Sequence, residues 1–236
     1  MEHWLQWARG PLFITAMVVL FAGLARVLWL DITGLLLLWR RSRKNGRTVP
    51  WGAVIWATLK ALRPLPRGEH ARGLFSITSV VFHVSIIITP LFLGGHILLW
   101  KRGLGVSWPA MGNVTADWLS LVAVASVVLL LLLRIGSRTA RAISRPQDYL
   151  LLVIIAVPFV SGLLAMHPHY NPFSYDGVML VHVLAGNLVL MLIPFTKLSH
   201  VTLLPFTQLV TELSWHLEPG AGLRVAQALH KEEEPI

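Results

Sequence analysis

Five long apolar stretches run along the chain, separated by shorter segments that carry most of its charge. They extend from about Leu12 to Leu30, Leu74 to Trp100, Val114 to Leu133, Tyr149 to Met166 and Val178 to Leu203. About 20 apolar residues in a helix cross the hydrocarbon core of a bilayer. Backbone polar groups in lipid must be satisfied within the segment, which favours helices. The pattern predicts an all-α integral membrane protein with five transmembrane helices, as one domain over residues 1–236.

Composition strengthens this reading. The 236 residues are 55% hydrophobic and only 13% charged, with mean hydropathy +0.66. Soluble domains carry about 25% charged residues. There is no cysteine, so disulfides, covalently attached c-type haem and thiolate-held iron–sulfur clusters are excluded within this chain.

The net charge of +9 is placed by topology. Arg40, Arg41, Arg43, Lys44, Arg47, Lys60, Arg63, Arg67 and Arg72 face only Asp31 and Glu69 in the segment 31–72. Arg134, Arg138, Arg141 and Arg145 follow the third stretch. The alternate loops hold Lys101, Arg102, Asp117 and Asp176. Lys/Arg excess marks the cytoplasmic side. The N-terminus is therefore expected outside, with the basic loop 31–72 and the tail 205–236 in the cytoplasm. The basic charge is topological, and nucleic acid is not an expected partner. No small-residue cleavage motif follows the first stretch, which reads as a retained helix. Within the basic loop, "TGLLLLWRR" and "WGAVIWATLKAL" read as interfacial amphipathic helices in contact with membrane lipids.

Four histidines then give the chain candidate chemistry. His83 and His96 lie in the second stretch, and His182 and His200 in the fifth. Ionisable groups within a membrane are costly and usually functional. The second stretch runs outward and the fifth inward, so depth pairs His96 with His182 and His83 with His200. Two bis-histidine haems between helices 2 and 5 are the expected result, one near each side of the bilayer. The eighteen-residue spacing of His182 and His200 is five turns of a continuous helix, placing both on one face ~27 Å apart. The thirteen-residue spacing of His83 and His96 puts their ideal directions ~140° apart, and Pro90 between them can kink the helix. Gly94 and Gly95 beside His96, and Gly186 one turn after His182, give a flat macrocycle access to the backbone. The alternative for these glycines is plain helix packing. His167 and His169 sit in a proline-containing loop, where hydrogen bonding or capping is expected rather than a metal site.

The segment "LVHVLAGNLVLMLIPFTKLSHVTLLP" resembles the last helix of the gamma subunit of respiratory nitrate reductase. The likeness is carried by His182, Gly186, Pro194, Phe195, Thr196, Lys197, Leu198 and His200. "VFHVSIIITPLFLGGHILL" resembles the second helix of that family, and "FAGLARVLWLD", with Arg26, the end of its first. The longer spacing between ligands in the second stretch, with "TPLFL" inserted, is more similar to cousins in heterodisulfide-reductase-like and sulfite-reduction complexes. The terminal substrate therefore stays open.

The resemblance implies a di-haem cytochrome b subunit of a respiratory complex in a bacterial or archaeal cytoplasmic membrane. Its cofactors are two haem b, and its substrate is menaquinone or ubiquinone. Its partners are cytoplasmic iron–sulfur and catalytic subunits. In that family the quinone pocket adjoins the outer haem, which here implicates Gly95, His96, Trp100 and Lys101, with Arg102 close by. Lys101 suits a quinone carbonyl, or equally the membrane interface. Arg26, Arg138 and Arg141 are candidates for the haem propionates, because the guanidinium fork matches a carboxylate. Rival readings are the cytochrome b anchor of a hydrogenase or formate dehydrogenase, and a haem-free scaffold or transporter.

Overall fold

The computed structural model describes residues 1–44, 48–62, 70–217, 220–228 and 230. Arg47, Arg63, Arg67 and Glu69 of the basic loop, and the tail 231–236, lie outside the described residues. All regular structure among the described residues is helical. In chain order the helices are α1 (Glu2–Arg9), α2 (Pro11–Lys44), α3 (Trp51–Ala61), α4 (His70–Phe92), α5 (Gly94–Leu104) and α6 (Asn113–Gly136). They continue with α7 (Arg138–Ile143), α8 (Pro146–Met166), α9 (Tyr175–Leu192), α10 (His200–Leu217) and α11 (Ala221–Ala228). Five segments are long and apolar enough to cross a membrane: Glu2–Arg40, Gly73–Phe92, Asn113–Gly136, Pro146–Met166 and Tyr175–Phe195. They make this a multi-pass membrane protein.

Three elements depart from the sequence pattern. First, α2 runs on to Lys44, so "TGLLLLWRR" is the end of that helix and not a separate interfacial one. Nothing between Leu30 and Lys44 stops a helix: there is no proline, and one glycine costs only about 1 kcal/mol. Second, the stretch 74–100 passes Pro90 as helix and breaks at Leu93, whose ψ of 129° is extended. Third, the stretch 178–203 is not one helix. Pro194 disfavours helical geometry in the residue before it; α9 stops at Leu192, and two short 3-10 turns, Ile193–Phe195 and Lys197–Ser199, precede α10. Thr196 is extended, and its hydroxyl accepts the Leu198 N–H at 3.2 Å to restart the chain. The five-turn argument placing His182 and His200 on one helical face therefore does not hold.

The described residues form two compact units, Met1–Val19 with Pro64–Leu192, and Leu20–Arg63 with Ile193–Ile236. In the first, α4, α6, α8 and α9 pack side by side in that order. Their ends show the antiparallel run. Arg134 at the end of α6 stacks on Phe75 near the start of α4 and on Tyr149 at the start of α8, each at 5.9 Å. At the opposite end Met111 N–H bonds Phe92 O at 2.8 Å and Trp108 Nε1 bonds Leu91 O at 2.7 Å. The segment after α5 thus returns to the end of α4, leaving α5 as an excursion from the bundle. On α6, Ala116, Ala123, Ser126, Val127 and Leu130 face inward, while Val114, Trp118, Leu121, Val128 and Leu132 are exposed. Small residues inside and large apolar ones outside suit a helix with lipid on one side.

α1 packs on α9. Buried Asn187 donates from Nδ2 to Ala8 O at 2.9 Å, satisfying a helix-terminal carbonyl. Asn187→Leu leaves that carbonyl unpaired and is expected to cost about 1–3 kcal/mol. Faster proteolytic removal of the first ten residues from the purified protein checks this.

In the second unit α3 packs on α10, with Val54, Leu213 and Leu217 as its centre and Leu35 and Leu38 of α2 alongside. Pro194 is seated against Gly23: a Cβ at Gly23 lies 2.5 Å from the Pro194 ring.

Candidate functional site

His96, in the first turn of α5, and His182, in the second turn of α9, meet inside the first unit. Their Nε2 atoms are 3.5 Å apart. The rings lie within 10° of parallel, with centroids 5.8 Å apart. His96 reaches this position because the helix breaks at Leu93. The break releases the Pro90 carbonyl from the helical ladder, and His96 Nδ1 takes it at 3.1 Å. His182 Nδ1 bonds Pro158 O of α8 at 2.7 Å.

A carbonyl only accepts, so both Nδ1 atoms carry a proton. In the neutral imidazole Nε2 then presents a lone pair. Two lone pairs facing each other across 3.5 Å repel unless a cation lies between them. A proton there makes one ring an imidazolium in an apolar segment, at large desolvation cost. A metal ion satisfies both rings at once. Imidazole–metal bonds of about 2.0–2.1 Å need ~4 Å between the nitrogens, half an ångström more than the present gap. Metal-bound histidines characteristically donate the second ring N–H to a carbonyl or carboxylate, as both do here. Among the described residues no three His, Cys, Asp or Glu side chains converge. A metal at this pair takes two ligands from the chain and the rest from a cofactor or solvent.

No atom lies within 4 Å of a Cβ placed at Gly95, which is exposed, or at Gly186. At Gly162 of α8 a Cβ lies 3.0 Å from His182 Cε1 and 3.1 Å from Nδ1. Gly162 was not singled out by the sequence; its only mark there is a glycine four residues after Pro158 in an apolar run.

His83 and His200 lie in different units and are described separately. His83 Nδ1 donates to Ser79 O at 2.6 Å, with Phe82 edge-on to its ring. His200 Nδ1 donates to Lys197 O. In all four histidines, therefore, Nδ1 is the protonated nitrogen.

The other candidates are dispersed. Trp100 packs edge-to-face with Phe13 and Trp108, at 6.4 and 5.7 Å. Lys101 is exposed in the last turn of α5, where its carbonyl accepts the Gly105 N–H at 3.1 Å. Arg26 is exposed on α2 in the second unit. Arg138 and Arg141 are exposed on α7, beyond the end of α6 opposite to the His96–His182 pair. Arg141 donates to Ile135 O. Arg134, read from the sequence only as a topological charge, is more embedded: it bonds Ser144 Oγ at 3.1 Å and lies 3.9 Å from Asp148 Oδ2. His167 caps α8 and sits 3.4 Å from Asp117 Oδ2 of α6. His169 packs edge-on against Tyr170.

A protein of Nitratidesulfovibrio vulgaris (strain Hildenborough), whose name specifies no activity, is 32% identical over 222 residues, covering 91% of this chain and 95% of its own length. The chain belongs to the same family as that protein. No family model matches the chain, and no solved structure matches it.

Proposed function

We propose that the chain is a di-haem cytochrome b, the membrane subunit of a respiratory oxidoreductase working between the quinone pool and a cytoplasmic iron–sulfur partner. The observation that carries this reading is the pair of Nε2 lone pairs, His96 and His182, facing each other at 3.5 Å with both Nδ1 protons committed to carbonyls. An iron porphyrin would be held by the His96 and His182 imidazoles and would need no further ligand from the protein. That matches a pair with no third protein ligand among the described residues. Assigning a second porphyrin to His83 and His200 rests on the sequence alone. When bound, the two groups supply one-electron carriage across the bilayer.

The chain's own part is to hold and orient. Pro90 and Pro158 carbonyls fix the ring tautomers, and Gly162 limits how far His182 can turn. Lys101, at the end of α5, is the cation available to a menaquinone or ubiquinone carbonyl at the outer face, where protons from quinol oxidation leave. The basic segments between spans 1 and 2 and between spans 3 and 4 face the cytoplasm. There they offer a docking face to an iron–sulfur subunit.

Reduced-minus-oxidised visible spectra and a pyridine haemochrome assay of the purified protein test this. Two haem b per chain are expected, reducible by a soluble quinol analogue. A folded chain isolated from haem-replete cells without porphyrin overturns the proposal.

A further inference from the structure

Arg9, which the sequence pattern leaves unassigned, sits on the segment that ties the two histidine-bearing helices α5 and α9 together. It is the last residue of α1 and is half-buried. The segment around it is held to both ligand-bearing helices. On one side Ala8 O accepts from Asn187, on the turn of α9 after His182. On the other, Phe13 packs against Trp100 of α5, and a Cβ at Gly103 lies 3.2 Å from the Phe13 ring. Arg9 lies between these two anchors, on the segment that joins α9 to α5.

The ion pairs among the described residues join Arg134 to Asp148 and His167 to Asp117. No carboxylate among those residues lies within ion-pair distance of Arg9. A cation fixed beside an apolar pocket is expensive unless an anion joins it. Of the arginines favoured by sequence, Arg138 and Arg141 lie at the far end of the first unit, and Arg26 belongs to the second.

We propose that Arg9 binds a carboxylate of the ligand held by His96 and His182, a porphyrin propionate. This rests on the di-haem reading. A guanidinium there makes charge-assisted, forked hydrogen bonds to the carboxylate. It also holds positive charge beside the metal and so favours the reduced form. A lipid headgroup phosphate offers the same anionic chemistry, but pairing with it leaves the metal's redox equilibrium unmoved.

The test is a spectroscopic redox titration of the full-length protein in detergent. At the potential where the porphyrin at His96 and His182 is half reduced in wild type, Arg9→Gln is expected to lower its reduced-to-oxidised ratio about tenfold. The other porphyrin should hardly change. If Arg9→Gln does not assemble, Arg9→His carries the test. Its charge is lost between about pH 5.5 and 8, so the ratio should fall severalfold across that range beyond any drift in wild type. Unchanged ratios in Arg9→Gln, or no added pH dependence in Arg9→His, overturn the role of Arg9 while leaving a loaded two-haem protein intact. A wild-type chain that folds without porphyrin removes the di-haem reading itself, and this inference with it.

Discussion

On the proposed di-haem reading, His182→Ala is expected to leave one haem b per chain in place of two, and His96→Ala to do the same. Each imidazole would supply one of two protein ligands, since the two nitrogens face each other across a single gap. With one gone, the remaining ring offers half a site. Nothing nearby replaces it, since no third His, Cys, Asp or Glu joins the cluster among the described residues. Changing a partner that only orients a metal ligand costs about 10–100-fold in affinity. Removing the ligand itself costs more, enough to empty the site during purification. The other haem of the proposal, assigned from the sequence to His83 and His200, is expected to keep its spectrum. His83→Ala and His200→Ala give the complementary result. Haemochrome quantitation against protein mass reads the outcome, and two haems retained in His182→Ala would sink the assignment of this pair.

Gly162→Ala is expected to destabilise the protein, although alanine is the better helix former by about 1 kcal/mol. The sign is reversed by a specific contact. The new methyl lies 3.0 Å from His182 Cε1 and 3.1 Å from Nδ1. The ring cannot simply withdraw, because Nδ1 is tied to Pro158 O at 2.7 Å, one turn earlier on the same helix. Either that hydrogen bond lengthens or α8 and α9 separate. Overpacking of this kind costs about 1–3 kcal/mol. The visible spectrum should change with stability, since a turned ring alters its grip on the metal. Thermal unfolding in detergent, followed at the haem band and by far-ultraviolet circular dichroism, reads both. An unchanged or raised midpoint with an unchanged spectrum would show that His182 is not held against α8.

Much of the architecture was legible because lipid makes one demand everywhere. Unbroken apolar runs such as 114–133 and 149–166 match α6 and α8 within three residues at each end. The same uniformity hid the breaks. Leu93 and Leu192 are as apolar as their neighbours, so hydropathy reads straight through positions where the helix stops. Pro90 was read as a kink, yet the helix continues past it and opens three residues later, before the Gly94–Gly95 pair. Pro194, quoted in the sequence only as part of a motif, is where the fifth stretch leaves helical geometry.

The site divides along the same line. That four histidines are costly in lipid, and that depth joins His96 with His182, follows from position along apolar runs. Sequence by itself determined the helical class, the five spans and the identity of this pair, because bilayer thickness and the expense of buried polar groups act on one residue at a time. Only the tertiary structure decided which ring nitrogen faces the partner, that the Pro90 and Pro158 carbonyls set it, and that Gly162 lies against the His182 imidazole. Those are contacts between helices distant in sequence. Their geometry depends on where each helix breaks and on which neighbour it meets, quantities that no single segment encodes.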